Sequence, residues 1–234
     1  MLSLALRATA QTCPGDFTTD AQIDGTDLGL FLAAWGPCPS SPCAADFNGD
    51  SQVDGLDLGQ LLASWGPCRP VITSVAPAEG SAAGGTAITI TGRFFRGTTS
   101  LRIGGVPASS VTVASSSSIT AVTPAGVAGP ATVAVTANGT GVLAGGFTYR
   151  SSSILGVSPS IGPTNGGTAV TISGEYLSSP TSVWFGQSPA QSFSSGSASS
   201  ITAVAPPGAT GLVVDVRVVT PAGTAVSRVQ RAAG

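Results

Sequence analysis

Eight of the 11 acidic residues are aspartates that form two runs with the same spacing. Each run places an oxygen-bearing residue at positions 1, 3, 5, 7, 9 and 12 of a loop, position 7 contributing its backbone carbonyl. The runs are Asp16, Thr18, Asp20, Gln22, Asp24 and Asp27, and then Asp46, Asn48, Asp50, Gln52, Asp54 and Asp57. Ca²⁺ prefers six to eight oxygen ligands, and alternate residues of such a loop direct theirs toward one centre. The sequence therefore predicts two Ca²⁺ sites.

The second run repeats the first at a constant offset, which aligns Asp16 with Asp46, and position 8 of each run is apolar, Ile23 and Val53. We expect these two residues to pack one loop against the other. Residues 11–68 contain no basic residue, so that two Ca²⁺ ions would offset half of the negative charge. Two solvated aspartate-rich turns would explain single aspartates, but not the same pattern twice.

An apolar residue at i, i+3, i+4 and i+7 after each loop predicts one helix per copy. The two sets are Leu28, Phe31, Leu32 and Trp35, and Leu58, Leu61, Leu62 and Trp65. Gly36-Pro37 and Gly66-Pro67 end the two helices. We expect the tryptophans to form the core between them.

The four cysteines flank the two loops, and the separation of Cys13 from Cys38 equals that of Cys43 from Cys68. This spacing favours the bridges Cys13–Cys38 and Cys43–Cys68, each stabilising a unit that lacks a core of its own by about 3 kcal/mol. The other two pairings stay open, and a zinc site of four cysteines is an alternative with an unusual spacing. Disulfides indicate export, and we interpret residues 1–10, which end in Ala8-Thr9-Ala10, as a signal-peptide remnant or a disordered terminus.

The duplicated loop and helix resembles a dockerin domain, over residues 13–68. The resemblance is carried by an aspartate instead of a glutamate at position 12 and by a single helix after each loop; Ala21 and Ser51 replace the usual glycine at position 6. It implies a small α-helical EF-hand-type calcium domain over residues 11–69 and a cohesin domain as partner. The partner would contact positions 10 and 11, which are Gly25, Thr26, Gly55 and Leu56.

A second repeat, again with a constant offset between its copies, follows in a region with few charges. It matches Gly84-Gly85-Thr86 with Gly166-Gly167-Thr168, and Phe94 with Tyr176. Period-2 apolar residues predict antiparallel strands in each copy. They are Ile88, Ile90, Leu101, Ile103, Val111, Val113, Val133 and Val135 in the first copy. The string from Val75 to Gly92, repeated from Val157 to Gly174, is similar to the IPT/TIG family of immunoglobulin-like sandwiches, which implies such domains at 70–150 and 151–230.

The chain has no histidine and no lysine, and all nine basic residues are arginines. This composition excludes Ser-His-Asp catalysis, His-ligated zinc and Schiff-base chemistry. Glu79 and Glu175 lie at non-equivalent turns, where solvated surface acids are favoured over a glycosidase pair. A pI near 4.8 disfavours nucleic acid, and no apolar run is long enough to span a membrane.

Trp184 and Tyr176 offer rings for stacking on a sugar, but we expect strand-surface or inter-domain roles for them. The sequence as a whole predicts a multidomain chain, in which a small calcium domain precedes two all-β sandwiches. We expect a secreted or cell-surface, non-catalytic protein that docks to a cohesin-like domain or to another cell-surface protein. Polysaccharide degradation is a candidate context, and carbohydrate is a further candidate ligand. The alternatives are a calcium-rigidified adhesin or surface-layer protein, and an accessory part of a polysaccharide-degrading enzyme.

Overall fold

The computed structural model describes residues 13–39, 43–211, 213–227 and 230–231. Residues 1–10, which we interpret as a signal-peptide remnant or a disordered terminus, lie outside the described residues. Three modules follow one another along the chain. We call them the head (residues 13–68), sandwich 1 (residues 71–150) and sandwich 2 (residues 153–231). Within the described residues, neither helix is long and apolar enough to cross a membrane.

The head contains two short helices, each enclosed by two-residue strands. Its elements are β1 (Gln22–Ile23), α1 (Gly25–Ala33), β2 (Gly36–Pro37), β3 (Gln52–Val53), α2 (Gly55–Ala63) and β4 (Gly66–Pro67). β1 pairs with β4, and β2 pairs with β3, so the loop of each copy joins the end of the other copy. Ile23 and Val53 are buried in one core, as predicted from position 8.

The disulfide pairing differs from the one that the spacing favoured. The bridges are Cys13–Cys68 and Cys38–Cys43, with Cα–Cα distances of 5.7 and 5.9 Å, and not Cys13–Cys38 and Cys43–Cys68. The reason is the exchange of strands between the copies. Cys68 follows β4, which lies beside the first loop, and Cys38 follows β2, which lies beside the second. The disulfides therefore bridge the two copies instead of closing each copy on itself.

The predicted helix faces are buried only in part. Phe31 and Leu61 are fully buried, and Leu28 and Leu58 are partly buried against the same core. The other residues of the two predicted helix faces are about half exposed: Leu32, Trp35, Leu62 and Trp65. The expectation that the tryptophans form the core between the helices is therefore wrong. The helices have nine residues each, and both tryptophans lie beyond their ends.

Sandwich 1 contains nine strands in two sheets. They are β5 (Val71–Ala76), β6 (Glu79–Ser81), β7 (Ala87–Arg93), β8 (Ser100–Ile103), β9 (Val106–Pro107), β10 (Ser109–Ser115), β11 (Ser118–Val122), β12 (Gly129–Ala137) and β13 (Gly139–Arg150). The sheet orders are β10-β11-β7-β5 and β6-β13-β12-β8-β9. β6 runs parallel to the last residues of β13, and the other pairs are antiparallel.

Sandwich 2 repeats this architecture with a shorter last hairpin. They are β14 (Ser153–Ser158), β15 (Ala169–Glu175), β16 (Ser182–Phe185), β17 (Ser188–Pro189), β18 (Ser192–Ser197), β19 (Ser200–Val204), β20 (Val213–Val214), β21 (Val216–Thr220), β22 (Gly223–Val226) and β23 (Gln230–Arg231). The sheet orders are β14-β15-β19-β18 and β17-β16-β21-β22, and β20 pairs with β23. The predicted pair of β-sandwiches is confirmed.

Period-2 alternation identified most of the core of sandwich 1. Six of the eight predicted residues are buried, and they pack with Phe147 and Tyr149. Val111 and Val113 are the exceptions, because each is 38% exposed. They lie on β10, an edge strand exposed along its whole length. An edge strand with both faces accessible keeps the alternation of β-branched residues without burying either face.

The Gly-Gly-Thr motif is explained by backbone contact at its first residue. Gly84 has a φ of +80°, and a Cβ there would lie 2.6 Å from the backbone nitrogen of Ala125. Gly166 has a φ of +73°, and a Cβ there would lie 2.7 Å from the backbone nitrogen of Pro207. Only glycine combines the left-handed conformation with so close an approach of another segment. The motif thus fixes the turn before the core strands β7 and β15.

The two joints between modules are built in the same way. An aromatic residue with positive φ, Phe94 (61°) or Tyr176 (53°), follows the second core strand of each sandwich. Phe94 packs against the core of the head, and Tyr176 packs against the core of sandwich 1. We call these two residues the joint aromatics. Tyr176 thus has the inter-domain role expected from the sequence.

A glycine of the last hairpin completes each joint. A Cβ on Gly139 would lie 2.9 Å from the Arg69 side chain, and one on Gly223 would lie 3.6 Å from the Ser151 side chain. Arg69 and Ser151 occupy equivalent positions in the two copies of the sandwich repeat. In the second joint Ser152 also donates a 2.9 Å hydrogen bond to the Gly223 carbonyl. The repeated contacts indicate stacked modules rather than modules on a free linker.

Replacing a joint aromatic should loosen one joint without unfolding its sandwich. In Tyr176→Ala, we expect the two sandwiches to acquire different rotational correlation times by ¹⁵N relaxation, because the ring that packs across the joint is lost. Phe94→Ala should act in the same way between the head and sandwich 1. Phe193→Ala, on the exposed edge strand β18, is the matched control. Unchanged tumbling in Tyr176→Ala would contradict the packed joint.

Candidate metal centre

The first aspartate-rich loop brings three carboxylates together. Asp16, Asp20 and Asp27 can each place an oxygen so that all three atoms lie within 4.8 Å of one another. These are positions 1, 5 and 12 of the predicted loop. Among the described residues, no three carboxylates of the second loop meet this distance. There the side-chain amide of Asn48 donates a 3.0 Å hydrogen bond to Asp50 Oδ2.

The aspartate at position 1 organises each loop through backbone N–H groups. Asp16 accepts from Asp20 and Ala21, at 3.1 and 3.0 Å. Asp46 accepts from Gly49, Asp50 and Ser51, at 2.7 to 3.2 Å. Each of these carboxylates also contacts a disulfide: Asp16 lies 3.8 Å from Cys68 Sγ, and Asp46 lies 3.9 Å from Cys38 Sγ. The inter-copy disulfides therefore pack directly against the two loops.

The aspartates at positions 9 and 12 also cap the helices. Asp24 is the N-cap of α1 and accepts from the backbone N–H of Thr26, while Asp27 Oδ2 accepts from the backbone N–H of Asp24. Asp54 and Asp57 form the same capping box in α2. A reciprocal box of this kind satisfies N–H groups that a helix N-terminus leaves unpaired. These four aspartates thus have a structural role beside the predicted role as ligands.

Asp27 and Asp57 are fully buried, and each accepts three backbone N–H groups. Asp27 Oδ1 accepts from Phe17 and Thr18, at 2.8 and 3.0 Å, in addition to the capping bond. Asp57 Oδ1 accepts from the corresponding residues of the second copy. A carboxylate has about four lone-pair positions, so these bonds leave room for a further electrophile. Each buried carboxylate ties the start of its loop to the start of its helix.

The charge state of the carboxylates follows from burial and from these hydrogen bonds. Burial acts to raise the pKa of Asp27, but the backbone N–H groups of Asp24 and Thr18 outweigh it, so that the pKa is lowered. The pKa of Asp57 is lowered by the same balance. Burial raises the pKa of Asp16, because its backbone hydrogen bonds compensate only in part. A cation in the first loop would stabilise the ionised form of Asp16.

One ligand position carries an unpaired oxygen. Thr18 Oγ1, at position 3, is buried and has no hydrogen bond of good geometry, although the hydroxyl lies beside the Asp27 carboxylate. Together with three converging carboxylates, this orphaned oxygen fits a hard cation with oxygen ligands. The donor set of the first loop therefore suits the predicted Ca²⁺.

The remaining predicted site residues lie on the surface of the head. Gln22 and Gln52 lie in β1 and β3, where they donate backbone N–H bonds to Asp20 and Asp50, both at 2.9 Å. The predicted partner-binding residues Gly25, Thr26, Gly55 and Leu56 form the exposed first turns of the two helices. Leu56 is 67% exposed, and five further apolar side chains of the head are about half exposed: Leu30, Leu32, Trp35, Leu62 and Trp65.

Sequence reasoning missed the aromatic residue at position 2 of each loop. Phe17 and Phe47 stack with their ring centroids 6.3 Å apart, and Phe47 also stacks on Phe31 at 6.1 Å. These rings connect the two loops directly. The signal was present in the sequence, because an Asp-Phe pair opens both loops at equivalent positions.

The loops adopt a left-handed turn at position 6 without glycine. The φ angles of Ala21 and Ser51 are 73° and 69°. This conformation costs a non-glycine residue about 1–2 kcal/mol. The loop geometry is therefore imposed on these residues by the surrounding carboxylate bonds.

Ala21→Gly and Ser51→Gly should each stabilise the head, by about 0.5–1 kcal/mol, because glycine relieves the left-handed strain but adds entropy to the unfolded chain. Denaturant unfolding followed by tryptophan fluorescence measures the change. Ala33→Gly, at the exposed end of α1, is the control and should destabilise by about 1 kcal/mol. Destabilisation in all three variants would contradict the left-handed turn.

Comparison with known proteins assigns the two sandwiches. The family model described as IPT/TIG domain matches residues 70–149 and 152–230, together more than half of the chain. Mouse plexin-B3 is 41% identical over 59 residues, which are 25% of this chain and 3% of that protein, so the match spans a small part of plexin-B3.

Three solved structures illustrate the similarity of this chain to known folds. The plexin A4 extracellular region is 23% identical, with a TM-score of 0.37, over 70% of this chain and 18% of that one. SGBP-B from a complex xyloglucan utilization locus in Bacteroides uniformis is 23% identical, with a TM-score of 0.32, over 68% and 48% of the two chains. The I9-I11 tandem from titin is 9% identical, with a TM-score of 0.41, over 70% and 65%.

Proposed function

The chain belongs to the IPT/TIG family through its two sandwiches, and we propose that they carry a calcium-dependent docking head of the dockerin type. The observation that supports this proposal best is the first loop, where three carboxylates converge and the position-3 hydroxyl of Thr18 is buried without a hydrogen-bond partner. The head is a binding module and not a catalytic one. Its two disulfides suit an oxidising compartment, so the protein is secreted or held at the cell surface.

Calcium would act on the head by compensating its charge. Two Ca²⁺ ions would be held by the oxygens of the predicted ligand residues, and they would supply the positive charge that residues 11–68 lack. The protein itself shapes both loops through the position-1 aspartates and ties each loop to a helix through Asp27 and Asp57. In this way, ion binding would stabilise the surface formed by the two first helical turns.

Calcium titration into chelator-treated, non-reduced protein tests this step. We expect two sites by calorimetry and a higher melting temperature of the head. Asp20→Asn and Asp50→Asn should each weaken one site by about tenfold, because each removes one charge from one loop. Glu175→Gln, an exposed acid of sandwich 2, should bind as the parent does. Absence of calcium binding by the folded parent would overturn the calcium part of the proposal.

The docking surface combines the exposed turns with the apolar residues beside them. Leu56 and the two half-exposed tryptophans give this surface an apolar character that a solvated helix pair does not need. The two copies present equivalent surfaces, which would permit a partner to bind in two orientations. A cohesin-like domain is the partner that the dockerin resemblance implies.

Binding of a purified cohesin domain to the immobilised full chain tests the docking role. We expect binding in Ca²⁺ that is lost in chelator. Thr26→Asp or Leu56→Asp alone should leave affinity within about threefold, because the other copy still binds, whereas the double variant should abolish binding. Leu155→Asp, an exposed residue of sandwich 2, is the control. If calcium-loaded head binds no cohesin, the docking role is refuted.

A structural role is the second candidate, and the repeated joints favour it. Two joints built in the same way hold three modules in series, as a spacer or stalk requires. In this case calcium would rigidify an adhesin or surface-layer protein that has no cohesin partner. Carbohydrate binding and a link to polysaccharide degradation stay predictions of the sequence.

A further inference from the structure

Sandwich 2 has a pocket at the end where its last strand finishes, which we call its exit end. The cavity measures about 100 Å³ and is mainly apolar. Its wall is formed by residues 159–164 and 205–209 and by side chains from the adjoining strands. The lining includes Val157, Ile161, Gly162, Thr164, Val170 and Pro206. A dry apolar cavity of about 150 Å³ binds benzene. This cavity has about two thirds of that volume and is open to solvent on one side.

The equivalent place in sandwich 1 is filled by the ring of Tyr149. Tyr149 is 2% exposed and donates a 2.8 Å hydrogen bond to the Pro124 carbonyl. A Cβ on Gly126 would collide with this ring. Glu79–Ser81 runs alongside, paired in parallel with the strand that carries Tyr149. Sandwich 1 therefore closes its exit end with an aromatic residue of its own last strand.

The surroundings of Tyr149 in sandwich 1 are repeated around the pocket of sandwich 2. Pro124 corresponds to Pro206, and Gly126 corresponds to Gly208, both of which line the pocket. The backbone hydrogen bond that fixes this segment is repeated as well: Gly126 donates to Ala82 at 3.0 Å, and Gly208 donates to Thr164 at 2.9 Å. Residues 194–234 include no aromatic residue.

The mouth of the pocket is apolar where its counterpart in sandwich 1 is charged. Ile161, 54% exposed, stands at the position of Glu79, which forms an ion pair with Arg150 in sandwich 1. Arg150 is the last residue of sandwich 1, which places this ion pair beside the second joint. The exit end of sandwich 1 is thus the side on which the next module stacks.

From these observations we infer that the pocket of sandwich 2 binds an aromatic side chain of another β-sandwich module that stacks on its exit end. The two joints within the chain supply the argument for this occupant, because in both of them the later module packs an aromatic ring against the earlier one. In sandwich 1, Tyr149 fills the cavity, and Tyr176 packs against the same core. In sandwich 2, the incoming ring itself enters the cavity. This site is independent of calcium and of cohesin docking.

The ring preference is tested with p-cresol, the side chain of tyrosine, titrated into the full chain and followed by methyl NMR of Ile161 and Val170. We expect saturable binding to one site, and binding of 4-methylcyclohexanol at least fivefold weaker. Ile161→Glu should weaken p-cresol binding at least fivefold, whereas Leu155→Glu, exposed on β14 outside the pocket, should have no effect. Equal affinity of the parent and Ile161→Glu, or no binding, would overturn the site.

The occupant is tested by joining a second copy of residues 151–231 after residue 232, which is the position equivalent to Arg150. The added copy carries its own Ile161→Glu, so that only the original pocket is able to bind p-cresol. We expect no p-cresol binding in this chain, because the added Tyr176 fills the pocket, and restored binding when the added copy also carries Tyr176→Ala. Thermal unfolding checks that the added copy is folded in each of the two chains, the one with Tyr176 and the one with Tyr176→Ala. Persistent p-cresol binding with the added Tyr176 intact would refute the stacked-module occupant.

Discussion

The head must accommodate eight carboxylates without any basic residue, and two of these carboxylates are completely buried. Burying an ionised carboxylate is very costly unless hydrogen bonds or opposite charges compensate for it. Asp27 and Asp57 meet this requirement with three backbone N–H groups each. Those donors come from the loop and from the helix start, so compensating the charge also fixes the path of the chain. The capping boxes and the starts of the two helices are arranged around these two groups, whereas the left-handed residues at position 6 are held by Asp16 and Asp46.

The exchange of strands between the copies also fixes the path of the chain, in this case for the whole head. Because each loop pairs with the end of the other copy, neither copy is complete on its own. The shared core of Ile23, Val53, Phe31 and Leu61 and the two inter-copy disulfides follow from this pairing. A head of this size has little apolar area to bury, so covalent bridges between its halves contribute a large share of its stability.

The sandwiches show how one fold can differ at its ends while its centre is constant. The Gly-Gly-Thr turn, the core strands and the joint aromatics recur at equivalent positions, because each depends on contacts within one sandwich or with the module before it. The exit end differs, since sandwich 1 closes it with Tyr149 and sandwich 2 leaves a cavity there. The repeated joints keep the three modules in contact, although the chain contains many glycines and serines.

The sequence alone determined the three modules, the two repeats, the positions of the loops and helices and most of the core of sandwich 1. These features are local, or they arise from periodicity, and short-range rules are sufficient for them. Tertiary structure decided the disulfide pairing, the exposure of Trp35 and Trp65 and of the edge-strand valines, and the burial of Thr18 Oγ1 without a partner. Each of these depends on which distant segment lies opposite, and spacing along one chain cannot specify that. The spacing of the cysteines suggested that each copy closes on itself, whereas pairing between the copies, which buries Ile23 against Val53, brought the other partners together.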